Sequence, residues 1–382
     1  MSNYLPTDYQ NFIGLSRYAR WLNDKNRRET WAETVERYTE SVVAPKIADG
    51  SFDSNDTMND IEEAILSLEV MPSMRAMMTA GPAMNRDNTC AYNCAYMPVD
   101  NVVSFDEAMF ILLCGTGVGF SVERQFISKL PDVPSIMVAG PTIVVEDSKE
   151  GWAKALRKLI KSLYNGSIPT WDVSKVRPAG AKLKTFGGRA SGPAPLIDLF
   201  NFVTTIFANA KGRKLSSIEV HDIMCKIGEV VVVGGVRRSA MISLSNLSDD
   251  RMRHAKSGSW WENNGHRALA NNSVSYTEKP DSTSFMREWL ALVESGSGER
   301  GIFNRVASKK QASKNERRDS DYEFGTNPCS EIILRPNQFC NLTEVVVRAT
   351  DSFDDLKRKV RLATILGTIQ STYTHFPYLR DI

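Results

Sequence analysis

Helical patterns alternate with short strands of valine, isoleucine and small residues in the middle of this chain. Residues 105–113 have the pattern of a helix, and residues 114–122 run from a glycine-rich turn into a strand. Residues 218–227 predict a second helix, which runs into four valines at 230–233 that predict a buried strand, and residues 271–276 predict another. Because such alternation is typical of βαβ units, we predict an α/β protein with parallel strands.

The segments on either side of this region predict other kinds of structure. Residues 1–70 are polar, with apolar residues at helical spacing, and predict a small helical region. Residues 89–97 predict a buried strand with Cys90 and Cys94 on one face. Residues 307–321 are strongly charged and predict a solvated loop.

Composition limits the classes of function that are open to the chain. It has 382 residues, of which 47 are basic and 45 acidic, and its net charge of +2 gives no electrostatic basis for a dedicated nucleic-acid-binding protein. No apolar run reaches the ~18 residues that span a membrane, and the N-terminus lacks the pattern of a signal peptide. We therefore expect a cytoplasmic protein with reduced cysteines, in which any disulfide is transient and catalytic.

One short motif brings an amide, a thiol and a carboxylate together, at Asn327, Cys329 and Glu331. Pro328 restricts φ and removes a donor, which favours a stiff loop tip over a helix or a central strand. In an extended backbone alternate side chains share a face, so the three polar groups would point the same way. The carboxylate could then take a proton from a bound hydroxyl that the amide orients. The alternative is an ordinary loop with a buried cysteine and a solvated glutamate.

The other cysteines leave several interpretations open. Cys340 begins an apolar run that predicts a strand, and with Cys94 it could supply two electrons by closing a disulfide if the two strands are neighbours. Cys90 lies close to Cys94, and spacing alone does not choose between them. A zinc site fits poorly, because four-thiolate sites usually have two short Cys pairs and the sequence has one. Cys114 and Cys225 lack polar companions in the sequence and are assigned as structural.

Two glycine-rich basic segments predict phosphate binding. They comprise Gly187, Gly188, Arg189, Ser191 and Gly192 in the first, and Gly235, Val236, Arg237, Arg238 and Ser239 in the second. In the first segment small residues expose backbone N–H groups, a hydroxyl and an arginine add donors, and a predicted helix follows directly. Two such segments in one α/β chain favour a nucleotide ligand, and a flexible surface loop is the alternative.

The 327–331 motif, with the strand that contains Cys340, resembles the active-site loop and following strand of the ribonucleotide reductase catalytic chain. Other segments resemble that family from about residue 70 onwards: 174–178, 184–193, 233–239, the Asn93–Cys94 pair, 117–120 and 301–305. Together they are most similar to its monomeric, adenosylcobalamin-dependent branch. The resemblance implies a ten-stranded α/β barrel, made of two half-barrels of five parallel strands with a finger loop through the centre.

The resemblance also implies catalytic roles. Cys329 would be the thiyl radical that takes the 3′-hydrogen of the ribose, at a loop tip that is shielded from water. Glu331 would accept the proton of the 3′-hydroxyl, and Asn327 would hydrogen-bond the ribose hydroxyls. Cys94 and Cys340 would protonate the leaving 2′-hydroxyl and become a disulfide, since the Asn-Cys pair of the family selects Cys94. No residue is assigned as a metal ligand.

Ligands and partners follow from the same resemblance. The implied substrate-binding residues are Ser73, Asn93, Asn327 and Glu331. Residues 235–239 resemble the loop that couples a deoxynucleotide effector to substrate choice. The expected substrate is a ribonucleoside di- or triphosphate, and the expected reductant is thioredoxin-like. The expected radical source is adenosylcobalamin, with a separate ferritin-like dimetal subunit as the alternative.

The chain departs from the family in length. The expected division is a helical region at 1–70, a first half-barrel with the nucleotide loops at 71–320, a finger loop at 321–336 and the start of the second half-barrel at 337–382. Most strands of the second half-barrel would be missing. We therefore expect activity to need a second, C-terminal reductase polypeptide that completes the barrel. The alternative is a non-catalytic nucleotide-binding fragment of a split reductase.

Overall fold

The computed structural model describes residues 5–50, 55–181, 189–233 and 240–380. Its α-helices are α1 (Asp8–Ile13), α2 (Trp31–Tyr38), α3 (Ala44–Ala48), α4 (Asn55–Leu66), α5 (Met74–Thr79), α6 (Pro82–Arg86), α7 (Ser104–Leu113), α8 (Arg124–Ile127), α9 (Lys149–Tyr164), α10 (Ala194–Asn209), α11 (Ser217–Val233), α12 (Asp250–Arg253), α13 (Trp260–Asn264), α14 (Ser282–Ser295), α15 (Arg305–Ser313) and α16 (Phe353–Ser371). Its strands are β1 (Trp21–Leu22), β2 (Arg27–Arg28), β3 (Val70–Met71), β4 (Cys94–Pro98), β5 (Gly117–Ser121), β6 (Val138–Val144), β7 (Ser167–Asp172), β8 (Met241–Asn246), β9 (Ala270–Tyr276), β10 (Gly301–Asn304), β11 (Gly325–Thr326), β12 (Ile333–Leu334), β13 (Gln338–Cys340) and β14 (Glu344–Val345).

A parallel sheet organises the described residues of 94–338 and 378–382, which form one compact unit, here termed the sheet unit. Within it five strands pair in the order β10, β9, β8, β5, β4, and every neighbouring pair is parallel. Helix α7 connects β4 to β5 and is buried along its whole length, and α14 connects β9 to β10. The predicted α/β arrangement with parallel strands is confirmed.

The register of this sheet determines which residues share one face of β4 and β5. Cys94 lies beside Gly117, and Tyr96 lies beside Gly119. Because side chains alternate along a strand, these four positions share a face of the sheet. That face therefore combines a thiol, an aromatic ring and two positions without side chains.

The described residues of 1–93 and 339–377 form a second compact unit, here termed the helical unit. Helix α16 packs against α4, β3 and β14, and β3 pairs antiparallel with β14. Gln370 on α16 is buried, and its Oε1 accepts hydrogen bonds from the Tyr38 hydroxyl (3.1 Å) and the Ser73 N–H (2.9 Å). A single buried amide thus joins α2, the start of α5 and α16. The four-part division expected from the sequence stays a prediction.

The four valines at 230–233 belong to a helix, so the strand predicted there is wrong. Helix α11 continues to Val233, and Val230 and Val231 are fully buried. A short buried apolar run has no periodicity that separates helix from strand. Packing against neighbouring elements then outweighs the preference of valine for strands.

The strand predicted over 89–97 is confined to β4, from Cys94 onwards. The carboxylate of Asp87 accepts a hydrogen bond from the Thr89 N–H at 2.8 Å and begins a 3-10 turn at Asn88–Ala91. Local side-chain bonds of this kind compete with strand pairing. Cys90 and Cys94 therefore do not share a strand face.

Two further local predictions need correction. The loop predicted over 307–321 begins within α15, which Asn304 caps by accepting a hydrogen bond from the Ala307 N–H at 3.0 Å. Asn304 is a residue type that favours the start of a helix, but the many charged residues that follow led to the prediction of a loop. Cys340 ends strand β13 and does not begin a strand.

Candidate active site

A short hairpin in the sheet unit carries the 327–331 motif. Strands β11 and β12 pair antiparallel, and between them the Asn327 carbonyl accepts a hydrogen bond from the Ser330 N–H at 3.0 Å. Ser330 has a positive φ of 70°, as tight turns often require. The segment is therefore a turn, and the extended arrangement predicted for its side chains is wrong. Pro328 favours this geometry because its ring fixes φ.

Asn327 is buried at the base of the turn, with 1% of its surface exposed. Its backbone N–H donates to the Ile332 carbonyl at 3.2 Å, and its Oδ1 accepts from the Ile332 N–H at 3.0 Å. The hydroxyl of Thr326 also donates to Oδ1, at 3.3 Å. Its Nδ2 lies 4.0 Å from the sulfur of Cys94. The side-chain Oδ1 of Asn327 thus closes the turn, and its Nδ2 donor faces the Cys94 thiol.

Cys329 and Glu331 lie at the exposed tip of the hairpin. Of the six cysteines, all within the described ranges, Cys329 alone is exposed, and Cys94 is half-buried. A thiol and a carboxylate in this position are open to a ligand. The described residues do not supply the shielding from water that the resemblance implies for Cys329.

Glycines on β5 allow the hairpin to approach the sheet. A Cβ on Gly119 would overlap the carbonyl oxygen of Thr326. A Cβ on Gly117 would lie 3.0 Å from Cγ of Pro328 and 3.4 Å from Sγ of Cys94. The hairpin therefore sits against the face that also carries Cys94. Glycine at the alternate positions 117 and 119 is visible in the sequence and allows close approach to this strand. The two glycines do not indicate which segment of the chain approaches them.

Gly325, at the start of the hairpin, is a second point of close approach. A Cβ there would overlap the ring of Tyr96. Tyr96 is fully buried, and burial raises the pKa of its hydroxyl. No local sequence pattern marks Tyr96 or Gly325 as part of the site, because their contact joins segments that are far apart in the chain.

Ser73, Asn93 and Cys340 all lie in the helical unit. The Ser73 hydroxyl caps α5 by accepting from the Ala76 N–H, and it lies 2.7 Å from Oδ1 of Asn93. The backbone N–H of Asn93 donates to the Cys340 carbonyl at 3.1 Å. The structure thus brings together Ser73 and Asn93, which are predicted to bind substrate, and the backbone of Cys340, which is predicted to be a redox cysteine. Cys340 itself is buried.

Cys114 and Cys225 lack polar companions in the sequence, but both have one in the structure. The sulfur of Cys114 lies 3.2 Å from Nζ of Lys149, and that of Cys225 lies 3.6 Å from Nε2 of His221. Both are buried. Lys149 is 35 residues from Cys114 in the sequence, and His221 lies one helical turn before Cys225. Neither companion is an immediate neighbour of its cysteine in the sequence.

The predicted phosphate segments are only partly described. Gly187, Gly188 and the whole 235–239 segment lie outside the described residues. Arg189 donates to the Gly180 carbonyl at 2.8 Å, and the Ser191 hydroxyl to the Gly192 carbonyl at 3.1 Å. Gly192 has a φ of +74°, which suits glycine at this turn. The phosphate-binding role of both segments stays a prediction.

Within the described ranges, no three or more His, Cys, Asp or Glu side chains are grouped so that they could hold a metal ion. No helix in the same ranges is both long and apolar enough to cross a membrane.

Comparison with known proteins identifies what the chain is similar to. Residues 139–207 match the model of the insertion domain of B12-dependent ribonucleotide reductase. The adenosylcobalamin-dependent ribonucleoside-triphosphate reductase of Lactobacillus helveticus is 30% identical over 441 aligned residues, covering 94% of this chain and 57% of the relative. The chain is related to the B12-dependent ribonucleotide reductases. The enzyme of the same name from Lactobacillus delbrueckii subsp. bulgaricus is 31% identical, with 86% of this chain and 53% of the relative covered.

Solved structures agree with this family. A crystal structure of B12-dependent, class II ribonucleotide reductase matches 96% of this chain and 59% of its own length, with a TM-score of 0.79 and 25% identity. The class Id alpha subunit of Actinobacillus ureae matches with a TM-score of 0.52 and 10% identity, and supports the fold alone. The chain spans a little more than half the length of these relatives. The fold class expected from the sequence, a ribonucleotide reductase barrel of which the second half is incomplete, is confirmed.

Proposed function

We propose that this chain is the N-terminal part of a ribonucleotide reductase catalytic chain that reduces ribonucleoside triphosphates in the cytoplasm by cysteine radical chemistry. The names of its relatives support the triphosphate over the diphosphate. One structural observation carries the proposal. The hairpin with Asn327, Cys329 and Glu331 sits on the sheet face that holds Cys94, through contacts that two glycines permit.

The proposed reaction uses the thiols in two roles. The Cys329 thiyl takes the 3′-hydrogen atom of the ribose, while Glu331 takes the proton of the 3′-hydroxyl. A thiol of the pair Cys94 and Cys340 protonates the 2′-hydroxyl, which leaves as water. The pair supplies two electrons and its second proton to the sugar and closes as a disulfide. Glu331 returns its proton to the 3′-oxygen, and Cys329 returns a hydrogen atom to C3′. The ribose loses one oxygen, the pair loses two hydrogens, and Cys329 ends the cycle as a thiyl.

Asn327 would orient the ribose as a hydrogen-bond donor. Its Oδ1 is engaged by the Ile332 N–H, and its Nδ2 is the group on the Cys94 side. A ribose hydroxyl between these residues would accept from Nδ2. Ser73 and Asn93 remain proposed as further substrate contacts, with their side chains already joined to each other.

Adenosylcobalamin is the proposed cofactor, and when bound it supplies the radical that Cys329 receives. One feature of this chain fits a radical-generating cofactor. The Cys329 thiol is exposed on a turn that hydrogen bonds hold in place, so a bound cofactor can reach it. The names of the relatives favour this source over a dimetal subunit. Other contacts to the cofactor are expected from further polypeptide.

Three partners complete the proposal. Because Cys329 is exposed and the relatives are longer, we propose that polypeptide corresponding to the rest of those relatives covers the site. A thioredoxin-like protein would reduce the disulfide again. A deoxynucleotide effector would bind near residues 235–239 and set substrate choice.

The test is a reconstitution assay. The full chain is mixed with a separately produced polypeptide that corresponds to the remaining part of the relatives, and is given a ribonucleoside triphosphate and a dithiol. We expect deoxynucleotide to form only when adenosylcobalamin is present. Turnover that needs a dimetal subunit instead would overturn the cofactor assignment. Nucleotide binding without turnover would favour the non-catalytic fragment.

A further inference from the structure

A buried arginine holds the base of the active-site hairpin. Arg305 is the first residue of α15 and is 2% exposed, and Glu123, just after β5, is fully buried. The guanidinium donates to both carboxylate oxygens of Glu123, at 2.9 and 2.6 Å. Such a two-pronged pair fixes both distance and orientation, which a single contact does not.

The same guanidinium also reaches the hairpin. Its Nε donates to the Phe324 carbonyl at 2.7 Å, and Phe324 is the residue before β11. Its Nη1 also lies 3.2 Å from the carboxylate of Glu323. Arg305 therefore joins the end of β5 to the point where the hairpin begins.

Glu123 is itself held in place. The Ser121 hydroxyl donates to its Oε2 at 2.8 Å, and the Gln125 side chain donates to its Oε1 at 3.0 Å. A carboxylate with this many donors has little freedom to follow a moving partner. The pair is thus a fixed point of the sheet to which the hairpin base is bonded.

We propose that Arg305, fixed by Glu123, is a positioning residue that sets where the hairpin tip lies relative to Cys94. The proposal rests on the proposed function, because it concerns the placement of Cys329. Four residues separate Phe324 from Cys329, and the intervening turn is closed by hydrogen bonds. A shift at the base of so short and closed a hairpin is transmitted to its tip. Displacement of about 1 Å at a reacting group can cost ~10²-fold in rate.

The chain offers a matched control for this pair. Arg300 is also 2% exposed, lies in the same unit and pairs with the buried Glu288. Its remaining bonds go to Ser245 at 2.9 Å, and to backbone carbonyls at the end of β8. Arg300 therefore stabilises the fold in the same manner without any bond to residues 323–334.

The experiment compares Arg305→Lys with Arg300→Lys in the full chain, assayed with the completing polypeptide. Lysine keeps the charge but has a single ammonium nitrogen, so it cannot reproduce the planar fork through which Arg305 bonds Glu123 and the Phe324 carbonyl from three separate nitrogens. We expect Arg305→Lys to lower kcat by ~10²-fold with the KM for nucleotide almost unchanged. Arg300→Lys should retain kcat at a similar loss in Tm. Equal losses of kcat in both variants would overturn the proposal.

Hydrogen exchange separates this proposal from the proposed function. The N–H groups of Asn327 and Ile332 close the hairpin, and their exchange needs no turnover. We expect faster exchange at both in Arg305→Lys and wild-type exchange in Arg300→Lys. Unchanged exchange in Arg305→Lys would overturn the positioning role. A wild-type chain that exchanges as expected but reduces no nucleotide would overturn the proposed function alone.

Discussion

Replacement of Cys329 by serine should abolish nucleotide reduction and leave the fold intact. The serine O–H bond is much stronger than the thiol S–H bond, so a radical there cannot be formed and exchanged with a ribose C–H in the same way. The side chain is exposed at the hairpin tip, where substitutions usually change stability by less than ~0.5 kcal/mol. Deoxynucleotide formation in the reconstituted enzyme measures the first effect, and the thermal unfolding midpoint of the chain measures the second.

Cys90→Ser is the control for this prediction. Cys90 is buried in a 3-10 turn, and its sulfur lies 3.3 Å from the Asp87 carbonyl, a bond that a serine hydroxyl can also make. We expect this variant to keep its activity, which would also support Cys94 over Cys90 as the redox partner. Retained activity in Cys329→Ser, or an equal loss in both variants, would contradict the radical role of Cys329.

Replacement of Gly119 by alanine should displace the hairpin. The added Cβ would overlap the Thr326 carbonyl oxygen, which belongs to the backbone and cannot rotate away. Overpacking of this kind usually costs about 1–3 kcal/mol of stability. The shift at the hairpin should also lower kcat by ~10²-fold. Chemical denaturation and the reconstitution assay measure the two effects.

Gly265→Ala is the matched control, because a Cβ at Gly265 would meet nothing within 4 Å. It should change neither stability nor kcat by a comparable amount. If Gly119→Ala behaves like Gly265→Ala, the hairpin does not depend on close approach to β5, and the site geometry described above is wrong.

Much of the sheet unit could be predicted from the sequence. Strand β5 and helix α7 have apolar residues with glycine or polar residues at their ends, and β9 has Val274 and Tyr276 at alternate positions. The valines at 230–233 lack such a boundary, and their burial in α11 depends on packing that no local pattern encodes.

The site was predictable in its residues but not in its geometry. The motif identified Asn327 and Cys329, and a resemblance gave them roles, but the turn between them depends on bonds from Asn327 to Ile332. Arg305 and Glu123 could not be found in advance, since their contact joins residues 182 positions apart. Long-range contacts of this kind follow from the fold and leave no short pattern in the sequence.

A single-turnover experiment tests the claim that Cys94 and Cys340 supply the two electrons for ribose reduction. The reconstituted, pre-reduced enzyme is given a ribonucleoside triphosphate and adenosylcobalamin with no external reductant, and its thiols are then mapped by mass spectrometry. We expect deoxynucleotide in an amount stoichiometric with the chain, and a new disulfide that joins the peptides of Cys94 and Cys340. Deoxynucleotide formed with both of these thiols still reduced, or no deoxynucleotide at all, would contradict the claim.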